Sequence, residues 1–67
     1  MKRISITLTG IEGNIEMFVD NCLTSEFKAA KYEIQPHKGE TKKIVIKDDE
    51  ANIQFIKKKA KMYGIQE

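Results

Sequence analysis

Sixty-seven residues with a single cysteine and a formal net charge of +2 describe one small domain without a disulfide framework. A chain this short buries only about 60% of the surface its unfolded form exposes, so its stability margin is narrow. Charged residues make up 33% of the chain with both signs mixed, which is ordinary for a small domain and lacks the basic excess of a dedicated nucleic-acid binder.

No apolar run approaches the ~18 residues of a membrane span. The opening segment, Met1 to Ile6, alternates apolar residues with serine as a strand does, unlike the continuous apolar core of a signal peptide. One thiol fits a reducing compartment, and a cytoplasmic location is expected. Charge is unevenly spread. Residues 1–26 hold two cations against four carboxylates, and residues 27–67 hold ten lysines against six carboxylates. Any polyanion would therefore meet the second half.

Residues 2–9 read as a half-buried strand, with Ile4, Ile6 and Leu8 facing one way and Arg3, Ser5, Thr7 and Thr9 the other. Residues 10–23 admit two readings. As a helix, Ile11, Ile15, Phe18, Val19 and Cys22 share a face, and Thr9 with Glu12 has capping-box spacing. As a strand, Ile15, Met17 and Val19 alternate with Glu16 and Asp20, with Glu12-Gly13-Asn14 as the hairpin turn. The helix is preferred because its apolar face is the fuller one, although Gly13 costs a helix about 1 kcal/mol. Under the hairpin reading, Thr24-Ser25-Glu26 caps a short helix instead.

Lys31 to Gln35 and residues 41–47 alternate, and Pro36 to Glu40 joins them as a hairpin loop. The stretch from Asp48 to Gly64 reads as a second helix. Asp48, Asp49 and Glu50 sit at its positive end and lysines occupy its later turns, both matched to the helix dipole. Gly64 fits a left-handed C-terminal cap, with Ile65 packing back on the last turn.

The order is β-α-β-β-α: a single α+β domain whose three-stranded antiparallel sheet carries both helices on one face, the third strand lying between the other two. The hairpin reading of residues 10–23 gives β-β-α-β-β-α instead. The first layout resembles a ferredoxin-like fold lacking its last strand, a likeness of layout that implies no function.

The candidate surfaces lie mainly on the second helix. Ile53, Ile56, Ala60 and Tyr63 form one apolar stripe, and Ala51, Phe55 and Met62 a second. The second stripe must be covered by the first helix or by a partner. A partner would be another protein or a second copy of the chain, bound through Phe55 and Met62 as anchors. The alternative is non-sequence-specific nucleic-acid binding through Lys57, Lys58 and Lys61, with Lys42, Lys43 and Lys47 nearby. The outward sheet face, mainly Ser5, Thr7, Lys43, Val45 and Lys47, lacks the aromatic platform of an RNA-reading sheet. Strand edges offer a third surface, which the lysines of the third strand would blunt.

No catalytic constellation assembles. Cys22 reads as a core residue and His37, the only histidine, as a solvated loop residue. Asp48 and Asp49 read as helix-start carboxylates, and the ligand set for a metal site is missing. The Gly10 to Asn14 segment fits neither phosphate-binding glycine pattern. The expectation is a non-enzymatic binding module without cofactor, metal, small-molecule substrate or membrane partner.

Overall fold

A computed structural model describes residues 2–67. Strand β1 (Arg3–Ile11) leads into a helix (Glu12–Phe18) that continues through a π-helical stretch (Val19–Leu23) into a last turn (Thr24–Glu26). Strands β2 (Lys31–Pro36) and β3 (Thr41–Asp49) follow, and the C-terminal helix (Glu50–Met62) closes the fold. The sheet is antiparallel with order β1-β3-β2, so the third strand is central as expected and the hairpin alternative for residues 10–23 falls away.

Register explains the core. Ile4, Ile6 and Leu8 pair with Asp48, Ile46 and Ile44, so all six lie on the helix-bearing face. Leu8, Ile44 and Ile46 are buried beneath Ile15, Phe18, Val19, Cys22 and Leu23 of the first helix and Ile53, Ile56 and Ala60 of the second. The π-helical stretch contributes Val19, Cys22 and Leu23 to this core, and the Thr24 hydroxyl donates to the Val19 carbonyl (3.2 Å) at its end. Phe18 and Tyr63 meet with ring centroids 5.8 Å apart and an interplanar angle of 57°, tying the helices together.

Three expectations are corrected at element boundaries. The capping box of Thr9 and Glu12 does not form. Pairing of Gly10 and Ile11 with Lys42 and Thr41 extends β1, so Ile11 ends the strand exposed and does not line the helix face. Thr9 bonds the C-terminal tail instead, and the Glu12 N–H donates to the Glu40 carbonyl (3.1 Å). The first helix also runs past residue 23 to Glu26. Asp48 does not start the second helix: it pairs with Ile4 inside β3 and is 1% exposed. Its carboxylate accepts from the Asp49 N–H (2.7 Å) and from Asn52 Nδ2 (3.2 Å), which satisfies it beneath the positive end of the helix.

The C-terminal cap forms as read. Gly64 adopts φ +75°, its N–H donates to Lys61 O (3.1 Å), and the Ile65 N–H donates to Ala60 O (2.9 Å). Ile65 is thereby buried, its Cγ1 close over Gly10, where a Cβ would stand only 3.0 Å away. The tail then lies antiparallel beside Thr9: Thr9 N–H to Gln66 O is 2.6 Å and Gln66 N–H to Thr9 O is 2.9 Å. Gly64→Ala should lower unfolding free energy by about 1–2 kcal/mol, because the left-handed conformation crowds a Cβ. Gly13→Ala should raise it by up to about 1 kcal/mol, since its new methyl meets nothing. Urea unfolding of both variants measures the opposite signs.

Candidate functional site

The C-terminal helix is seated by Ile53, Ile56 and Ala60, all fully buried. Helical spacing turns Ala51, Phe55 and Met62 away from that seat. The first helix does not cover them: Phe55 is 59% exposed, Met62 is 79% exposed, and Ala51 is exposed as well. The chain thus leaves an aromatic and a thioether side chain in solvent on the outer stripe of a helix whose inner stripe is locked. Lys58 lies on the same side, and Lys58 and Lys61 are both exposed.

The lysines divide among separate surfaces. Lys57 is half-buried and its Nζ lies 2.9 Å from Glu67 Oε1, an ion pair that ties it to the tail. Lys43 and Lys47 pair with Thr9 and Ser5 on the bare face of the sheet, across the layer from the helices. Lys42 lies opposite Gly10 and Pro36 near the strand end. The expectation that Lys42, Lys43 and Lys47 adjoin the helix lysines is therefore corrected for Lys43 and Lys47, because strand alternation sends them to the far face. The lysines of β3 blunt no edge either, since that strand is paired on both sides.

Tyr32 and Ile34, a signal the sequence pattern conceals, form a second apolar feature. They lie opposite Ile46 and Ile44 and therefore face the helix side, yet each is 43% exposed. Both helices pack on β1 and β3, and neither packs substantially on β2.

Cys22 is buried, with Sγ 3.7 Å from the Tyr63 hydroxyl, whereas His37 is exposed in the β2–β3 loop. Among the described residues, no three His, Cys, Asp or Glu side chains group so as to hold a metal ion. No helix among them is long and apolar enough to cross a membrane. Comparison with protein-family models, curated proteins and solved structures gives no match.

The contrast between the two stripes of the C-terminal helix is measurable in the isolated protein. Phe55→Ala and Met62→Ala should each change unfolding free energy by no more than about 0.5 kcal/mol, as surface substitutions do. Ile56→Ala, beneath the same helix, should cost about 2–5 kcal/mol. Thermal and denaturant unfolding of the three variants separates surface from core.

Proposed function

We propose that the protein is a non-enzymatic binding module that docks the outer stripe of its C-terminal helix into a groove on a partner protein. The reading rests on one observation: Phe55 and Met62 stand in solvent while Ile53, Ile56 and Ala60 on the opposite stripe of the same helix are completely buried. Large exposed side chains of these two types are favoured anchors at protein interfaces. Ala51, Phe55 and Met62 recur at the spacing with which a helix presents one line of contacts to a groove. Lys58 falls within that line, between Phe55 and Met62, and Lys61 lies to one side of it, so the complementary groove is apolar with carboxylates placed to meet these lysines. A cytoplasmic site of action belongs to this reading, supported by the lone, buried thiol of Cys22.

The test is capture from a lysate of the encoding organism on immobilised protein, with nuclease treatment, in parallel for wild type and the Phe55→Ala, Met62→Ala double variant. The expected result is a stoichiometric protein retained after nuclease and lost with the double variant, each anchor contributing about tenfold or more in affinity. Retention unaffected by the double variant refutes the helix stripe. Loss of all bound material with nuclease, together with sensitivity to Lys58→Glu and Lys61→Glu, replaces the reading with nucleic-acid binding through those lysines.

A further inference from the structure

The two edges of the sheet are treated differently. The β1 edge is occupied at Thr9 by the C-terminal tail, through the paired backbone hydrogen bonds to Gln66. Strand β2 ends the sheet on the other side, and among the described residues no further strand pairs with it. An edge strand presents unpaired N–H and C=O groups, and proteins commonly blunt it with charge, proline or a covering element. Here Pro36 stands only at the strand's end, no helix covers it, and Tyr32 and Ile34 remain half exposed beside the open edge.

Charge points to the occupant. Lys31 lies directly opposite Lys47 across the β2–β3 ladder, and like charges so placed repel. Among the described residues the only ion pair is Lys57 with Glu67, so neither lysine has an ion-pair partner among them. Among the described residues, Glu33, two residues along the same face of β2, accepts only from Gln35 Nε2 (3.2 Å).

We propose that two copies of the chain join antiparallel through β2, about a twofold axis at Tyr32, to form one continuous six-stranded sheet. A twofold perpendicular to the sheet keeps all helices on one face and matches residues of like parity. Centred on Tyr32, it sets Lys31 against Glu33 of the second copy at two symmetric places, and Ile34 against Ala30. Each glutamate then lies beside the Lys31–Lys47 pair and relieves it. Centring on Glu33 would instead oppose two carboxylates, and centring on Ile34 would leave Lys31 facing His37. The charges of this one strand thus select both the partner and the register. The surface differs from the Phe55–Met62 stripe, and the dimer presents that stripe twice.

Sedimentation equilibrium of the intact chain across the micromolar to millimolar range should show a reversible monomer–dimer equilibrium. Lys31→Glu should weaken the dimer about tenfold or more, since two attractive pairs become repulsive. The same change removes the clash with Lys47, so the melting temperature of dilute monomer should hold or rise. Adding Glu33→Lys should restore the dimer. Ile34→Asp, at a site already half exposed in the monomer, should abolish it with the circular dichroism unchanged. A chain that stays monomeric throughout overturns the proposal. So does a dimer indifferent to Lys31→Glu and Ile34→Asp, or one lost with Phe55→Ala, which would assign self-association to the helix stripe.

Discussion

Everything in this fold depends on the double pairing of β3. Its residues Thr41–Asp49 are bonded to β1 along their whole length and to β2 along six positions. That central placement puts Ile44 and Ile46 under both helices and makes them the buried floor of the core. It also commits the alternate residues, Lys43, Val45 and Lys47, to the bare face, where the neighbouring strands supply Ser5, Thr7, Thr9, Lys31, Glu33 and Gln35. One layer of helices on one face of a sheet leaves the second face to water, and the strand period then sorts polar from apolar side chains without further instruction.

The helix layer sits over β1 and β3 and does not extend across β2. Ile65, delivered by the Gly64 cap, fills the space over Gly10, and Gln66 occupies the neighbouring edge. The molecule is therefore finished on its β1 side and unfinished on its β2 side. The outer stripe of the C-terminal helix is a second unfinished surface, and its cause is different. The first helix meets its neighbour through Tyr63, Phe18 and Cys22, low on the flank, so the crest with Phe55 and Met62 stands clear.

Much of the local structure was legible in the residues. Alternation located the three strands to within about two residues at their ends. Gly64 and Ile65 announced the helix end correctly because a left-handed cap needs a glycine and an apolar residue after it, a requirement met within a few residues of chain. The errors fall where a distant partner decides. Thr9 and Glu12 had the spacing of a capping box, but backbone pairing with β3 and the tail claimed Thr9 first. Asp48 looked like a helix-start acid, but strand pairing with Ile4 carried it into the core, where Asn52 and a backbone N–H satisfy its carboxylate.

The residues alone determined the three strands, the last helix, the face each strand turns to the helices and the presence of two apolar stripes on that helix, because each follows from a period of two or 3.6 read over a few turns, whereas residues 10–23 fitted both periods and only the sheet order made them a helix. They also carried the charge pattern of β2. What only the tertiary structure decided is coverage. Tyr32 and Ile34 alternate as regularly as Ile44 and Ile46, and Phe55 is as apolar as Phe18, yet one member of each comparison is buried and the other is not. Periodicity states which way a side chain points. Whether anything stands there depends on where two helices come to rest over three strands, and that is settled by packing between residues far apart in the chain.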